Sequence, residues 1–266
     1  MLPLASWAVS RTHRIIGVFT DIDDTLTTEG AITPDALQAL AELQAAGLHV
    51  VPITGRPVGW SEPFVQRWPV DAIVAENGAV GLTHSPAQGL HKRYQQDAAT
   101  RSANFARMQT VLAEIERSVP GAQRAQDSAG RETDIAIDHS EFTHLPQSAI
   151  DAVLHLMHSA GMTATVSSIH INAWFGEHSK LTGARWIVRA LWGRDLDAEI
   201  DRWVYVGDST NDQVMFAHFA HSVGVANIQR FAAQLTHPPR YITPGERGAG
   251  FAQVAQHLLH RPSASP

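Results

Sequence analysis

The sequence has no cysteine, which excludes disulfides and thiolate-held metals and fits a reducing cytoplasm. It has no apolar run long enough to cross a bilayer. The opening stretch MLPLASWAVSRTHR carries no basic residue ahead of its short apolar part, so no signal peptide is expected. Basic charge is scarce too. Twenty Lys and Arg face 26 Asp and Glu, for a formal net charge of -6, and the pI is about 6.2. Such a chain has no general field for gripping nucleic-acid backbones. Internal repeats and low-complexity tracts are also missing. The expected setting is cytoplasmic, as a monomer or small homo-oligomer with no nucleic-acid or membrane partner.

What is present is an ordinary globular composition, 44% hydrophobic and 17% charged over 266 residues, enough for one large domain or a core with a second module. Apolar, β-branched strands alternate with helical patterns at both ends of the chain. Strands are expected at 15–20, 48–53, 72–75, 202–206, 222–226 and 240–243. Helices are expected at 33–46, at 58–68 with a break at Pro63, at 211–219 and at 251–259. Thr33, Pro34 and Gly47 supply a cap, a first-turn proline and a terminator. This β-α-β-α order predicts an α/β fold with a doubly wound, mostly parallel, Rossmann-like sheet.

The middle reads differently. Asn77-Gly78 is a hairpin signal. Beyond it come a polar stretch, helices at 99–118 and 146–160, and strands at 133–138, 162–167 and 170–175. The expected organisation is a core of residues 1–82 and 174–266 with an α+β module of residues 83–173 inserted into it. The RPSASP tail is expected to be disordered.

Four polar segments sit where strands end or a helix starts: Asp21-Ile22-Asp23-Asp24-Thr25, Thr54 in ITGRP, Lys180 in EHSKLTGARW, and GDSTND at 207–212. In a doubly wound sheet all strand carboxyl ends open onto one edge, so these distant segments can meet. An acidic turn alone would be solvated, and a calcium loop fails because Leu26 and Ile32 stand where Gly and Glu are required. The chemistry that needs the whole set is phosphoryl transfer through an aspartyl-phosphate. A carboxylate attacks phosphorus, Mg²⁺ and a lysine offset the charge, a hydroxyl and backbone N–H groups hold the phosphoryl oxygens, and a second carboxyl handles the proton.

The order DxDxT, Thr, Lys, GDxxxD resembles that of the haloacid dehalogenase-like superfamily. The long insertion after ENGA resembles the subclass whose larger α/β cap lies between the second and third motifs, which includes sucrose-phosphate and mannosyl-phosphoglycerate phosphatases. The resemblance implies a Mg²⁺-dependent phosphatase acting on a small phosphorylated metabolite, with a sugar phosphate as the expected substrate. It implies Asp21 as nucleophile, Asp23 as general acid/base that also offers its backbone carbonyl to Mg²⁺, and Thr54 as phosphoryl ligand. It further implies Lys180 as counter-charge, Asp208 as metal ligand, and Asp212 as a ligand directly or through water. Many relatives have Gly at the position of Asp24 and Lys-Gly where this chain has Lys180-Leu181.

Candidate substrate contacts are Arg56, Asn77, Arg131, His170 and Asn172. Each has a plain structural alternative: surface pairing for Arg56, turn chemistry for Asn77, core packing for the others. Trp60 is read as a core anchor or cavity lining, Trp174 as a substrate contact or core filler, and the spaced histidines 155/158 and 218/221 as solvated. Two other readings stay open: a phosphomutase, which returns the phosphoryl group to the substrate, and a sensor that binds a sugar phosphate without turnover. A signalling receiver domain shares paired acids, Thr and Lys, but is roughly half this length.

Overall fold

A computed structural model describes residues 1–8 and 14–260; the RPSASP tail lies outside the described residues. The central sheet comprises β1 (Leu2–Pro3), β2 (Gly17–Thr20), β5 (His49–Pro52), β13 (Trp203–Gly207), β14 (His221–Gly224) and β15 (Tyr241–Ile242). Its order is β1-β15-β14-β13-β2-β5, and every pairing is parallel. Between β2 and β5 run a small hairpin, β3 (Thr27–Thr28) and β4 (Ala31–Ile32), and helix α1 (Pro34–Ala45). The chain then continues through α2 (Val58–Val65) and β6 (Ile73–Ala75). The connection from β2 runs one way across the sheet and that from β13 the other, so the switch point lies between these two strands.

Both faces of the sheet are buried, and the strands divide their side chains by period two. Val18, Val50, Val204 and Val206 face a cluster with Leu40 and Leu43 of α1 and Phe251 and Leu258 of α7 (Arg247–Leu259). Phe19, Val51, Trp203 and Tyr205 face the opposite cluster, with Ile187 and Val188 of α5 (Lys180–Trp192) and Met215 and Phe216 of α6 (Gln213–His218). Gly17 is required at the start of β2: a Cβ there would lie 2.2 Å from the Trp203 ring.

Strand β6 turns through Glu76–Gly78 into β7 (Val80–Ser85), which pairs with β8 (Gly89–Tyr94). Asn77 (φ 55°) and Gly78 (φ 108°) supply the left-handed conformations the expected turn demands. The sequence reading passed over β8 because LHKRY carries a polar face. Leu82, Leu90 and Tyr94 nevertheless pack into the first cluster. After them come α3 (Ala98–Ser118), β9 (Gln123–Arg124), β10 (Ile135–Asp138), α4 (Gln147–Ser159), β11 (Thr163–Val166) and β12 (His170–Trp174). Strands β11-β12-β10-β9 form an antiparallel sheet with its own core, in which Trp174 and Phe175 take the packing role.

Two expectations need correction. Pro63 does not break its helix, because α2 runs through it to Val65. The expected helix at 211–219 is a 3-10 turn over Thr210–Asp212, capped reciprocally by Ser209 and Asp212, followed by the short α6. Among the described residues, no helix is long and apolar enough to cross a membrane.

Glu76 ties the segments together. Its fully buried carboxylate accepts the N–H of Val58 (3.0 Å), which opens α2, the N–H groups of Glu132 and Thr133, and the Thr133 hydroxyl. Burial pushes its pKa up, against the pull of those bonds. Glu76→Ala strands three backbone donors. It is expected to cost about 3 kcal/mol in urea denaturation, and a loss below about 1 kcal/mol would mean that water replaces the carboxylate at little cost.

Candidate active site

The carboxyl ends of β2 and β13 deliver the acidic segments side by side: Thr20 pairs with Val206, and the Asp21 N–H donates to the Val206 carbonyl at 2.9 Å. Asp21, Asp208 and Asp212 are all buried, with carboxylate oxygens within 4.8 Å of one another. Lys180 is the first residue of α5, whose start is fixed by a reciprocal Ser179–Thr182 cap. Its ammonium lies 2.9 Å from Asp21 Oδ1 and 2.7 Å from Asp212 Oδ1. Leu181 does not disturb this helix start; it packs at the edge of the second cluster.

Asp212 is saturated. Its Oδ2 accepts the N–H groups of Asp208 (2.9 Å) and Ser209 (3.1 Å), and its Oδ1 accepts Lys180 Nζ and the Tyr205 hydroxyl. Four donors occupy the roughly four lone-pair sites of a carboxylate. Gly207 allows this approach, since a Cβ there would lie 2.4 Å from Asp212 Oδ2. Asp208 is the opposite case. Its Oδ2 accepts from Asn227 and Arg230, both at 3.2 Å, whereas its Oδ1 is buried without a partner among the described residues. An orphaned carboxylate oxygen beside a second carboxylate is a donor set of the kind a hard cation takes. The site therefore fits Mg²⁺, with Asp208 and Asp21 as the carboxylates to hold it.

Crowded, buried charge shifts these groups. Burial, with Asp212 and Asp23 adding to it, pushes Asp21 up to about 7, although Lys180 opposes the shift. Burial together with Asp212 and Asp21 raises Asp208 well above the carboxylate range. Burial alone would lower Lys180, but Asp21 and Asp212 hold it above its usual value.

Thr54 is buried just beyond β5, where its hydroxyl accepts the Arg56 N–H at 3.0 Å and its carbonyl accepts the Asn77 N–H. The Arg56 guanidinium grips Asp23 at 2.9–3.0 Å. It also reaches Asp127 (3.2 Å) and Glu141 (2.7 Å) of the inserted segment and lies over the Trp60 ring at 5.0 Å. Arg131 donates to the Gly55 carbonyl (3.0 Å), Asp134 (2.8 Å) and Asp127 (3.0 Å). Asn172 bonds Gly55 and Asp134, Asn77 reaches Asp134 at 3.4 Å, and His170 pairs with Glu141 at 2.8 Å. Burial would raise Glu141, but His170 and Arg56 hold it down at about 2.

The five candidate substrate contacts thus meet in one place, and they bind one another and the carboxylates Asp127, Asp134 and Glu141. The sequence reading missed those acids. The cavity left between Asp21, Asp23, Arg56, His170, Asn172 and Asn211 is about 10 Å³, room for about one water. A larger cavity of about 610 Å³ shares Ser167 and Asn211 with it.

Residues 18–118 match the profile of haloacid dehalogenase-like hydrolases. That match covers less than half of the chain. The fold of the chain recurs in solved structures at low identity. A Thermoplasma acidophilum protein superimposes with TM-score 0.70 at 17% identity, over 92% of this chain and 98% of that one. The Synechocystis sucrose-phosphatase, solved with sucrose and phosphate, gives TM-score 0.65 at 15% identity, over 91% and 97%. A haloacid dehalogenase subclass IIB sugar phosphatase gives 0.62 at 16%, over 91% and 98%. No curated protein sequence matches at a significant level.

Asp24 has a defined place beside this site. It adopts φ 56°, the left-handed region that glycine enters freely, and its carboxylate sits between Arg230 (2.7 Å) and Arg247 (3.1 Å). His218 is not simply solvated; it pairs with Asp197 at 2.7 Å.

Proposed function

We propose that the protein is a Mg²⁺-dependent phosphatase that hydrolyses a small phosphorylated metabolite of the cytoplasm, a sugar phosphate, through an aspartyl-phosphate on Asp21. The observation that carries this reading is Lys180 held between Asp21 and Asp212 beside the unpartnered Asp208 oxygen, all at the switch point of a parallel sheet. Asp208, Asp21 and the Asp23 backbone carbonyl would hold Mg²⁺, which would supply positive charge at the phosphoryl oxygens. Asp212 acts through water or through the groups it orients, since its own oxygens are filled.

In this reading an Asp21 oxygen attacks phosphorus as the ester P–O bond breaks, and the Asp23 carboxyl gives its proton to the departing alkoxide. Water then attacks the aspartyl-phosphate, Asp23 takes its proton, and phosphate leaves with Asp21 restored. Thr54 and Lys180 hold the phosphoryl oxygens. Asp23 is engaged by Arg56 while the cavity is closed, so it must exchange Arg56 for the leaving oxygen. The inserted segment, residues 83–173, would act as the cap that selects the substrate. Its moving part would be the unit built on the antiparallel sheet, because hairpin β7–β8 packs with the core. The cavity of about 10 Å³ between Asp21 and Arg56 adjoins cavities of about 610 Å³, lined by Lys180, and about 420 Å³, lined by Asp23, and a shift of the segment away from Arg56 would join them.

The test is phosphate release across a panel of phosphorylated metabolites and a generic aryl phosphate. Turnover with Mg²⁺ that disappears in EDTA and returns on adding Mg²⁺ is expected. Silence across the panel with Mg²⁺ present would sink the reading.

A further inference from the structure

The haloacid dehalogenase-like motifs leave one charged group beside the site unexplained: the Asp24–Arg230–Arg247 cluster. Its geometry converges on Asp208. Arg230 comes from the 3-10 segment Ala226–Gln234, and one of its terminal nitrogens donates both to Asp24 Oδ2 (2.7 Å) and to Asp208 Oδ2 (3.2 Å). Asn227, on the same segment, donates to the Asp24 carbonyl (3.0 Å) and to Asp208 Oδ2 (3.2 Å), while its own carbonyl accepts the Arg247 N–H (2.9 Å). Arg247 closes the set on the other Asp24 oxygen at 3.1 Å.

These contacts treat the two oxygens of Asp208 unequally. Oδ2 holds two donors, which fill it, and Oδ1, fully buried, holds none among the described residues. We infer that Arg230 is a positioning residue for Asp208: it pins Oδ2 so that Oδ1 is presented to a divalent cation, and Asp24 is the counter-charge that lets a guanidinium stand there. This inference rests on the proposed Mg²⁺ site.

Charge explains why the two residues come together. A lone arginine next to a cation site would repel the cation as well as orient its ligand, and the two effects would oppose each other. Asp24 neutralises Arg230 at 2.7 Å, so the orienting hydrogen bond remains and the repulsion falls. A glycine at position 24 would satisfy the backbone, whose φ is 56°, but would leave Arg230 uncompensated. On this reading Asp24 and Arg230 form one device.

The test reads metal binding directly. The melting temperature of the full chain is followed as Mg²⁺ is titrated, and the half-saturating Mg²⁺ concentration is compared among variants. Outer partners of metal ligands typically control affinity by 10–100-fold, so Arg230→Met is expected to raise half-saturation by about that factor. Its melting temperature in EDTA should stay near the wild-type value, because Arg230 is 42% exposed in its side chain. Arg230→Lys should recover part of the affinity. Asp24→Asn should weaken Mg²⁺ binding through repulsion, and Asp24→Asn combined with Arg230→Met should lose less than the two single changes summed, since the uncompensated charge is gone.

Half-saturation within about twofold of wild type in Arg230→Met would overturn the inference. So would strictly additive effects in the double variant. If Arg230→Met does not fold, Arg230→Gln carries the same comparison. A wild-type protein that shows no Mg²⁺-dependent shift would overturn the metal site itself. A normal wild-type shift with an unchanged Arg230 variant overturns only the role of Arg230.

Discussion

Asp21→Asn is expected to reduce Mg²⁺-dependent phosphate release by roughly 10⁴–10⁶-fold, the scale of losing a catalytic nucleophile. The amide keeps the shape of the side chain and can still accept from Lys180, but its oxygen is no nucleophile toward phosphorus. Stability should move the other way. The Asp21 carboxyl is raised from 3.8 to about 7 in the folded chain, so between those values the folded state binds the proton and the unfolded state does not. Stability therefore falls as pH rises through that window, and above about 7 the ionised, buried group costs the fold its full penalty. A neutral amide escapes this cost. Without metal at pH 8, Asp21→Asn should melt above wild type, and near pH 4 the advantage should vanish. Stopped-assay phosphate detection and thermal melts on the same preparations read both effects. Turnover retained within about tenfold would remove the covalent intermediate from consideration.

Lys180→Met carries the largest expected loss of stability. It withdraws the cation at 2.9 Å from Asp21 and 2.7 Å from Asp212 and leaves both buried carboxylates without it. Breaking a buried pair by removing one partner costs about 3–5 kcal/mol. The deficit should grow with pH, because at low pH the carboxylates take up protons and need no cation. Urea denaturation at pH 5.5 and pH 8 gives the comparison, and added Mg²⁺ should return part of the loss at the higher pH. Equal stability of the two proteins at pH 8 would mean that the cluster holds protons rather than charge. Phosphate release should fall with it, since nothing else among the described residues places an ammonium at Asp21.

Much of this was legible in the sequence, for identifiable reasons. Ile15 to Phe19 and RWVYV are runs that only a strand buried on both faces requires, and a parallel sheet puts the acids that follow them at one edge. The order of the four polar segments along the chain was enough to expect Asp21, Asp208 and Lys180 at one edge, where they lie together. The carboxylates at 127, 134 and 141 were not legible, because nothing in their local sequence marks them out. Their significance depends on Arg56 and Arg131 arriving from other segments. Tyr205 was read only as a strand residue; its hydroxyl acquires a partner because the turn after β13 brings Asp212 back beneath it. Asp24 was visible as an oddity, yet Arg230 stands 206 residues away and carries no local sign of the pairing.

The one-water cavity also bears on kinetics. If the inserted segment must swing away for a metabolite to enter, the observed dissociation constant is the intrinsic one divided by the open fraction. If the shut form outnumbers the open form by about a hundred to one, substrate binds about a hundredfold more weakly than its contacts alone would allow. Arg56, joined to Asp127 and Glu141, would then set part of that ratio without touching phosphorus. The Michaelis constant of this protein would then measure how hard its own salt bridges hold as well as how well a metabolite fits.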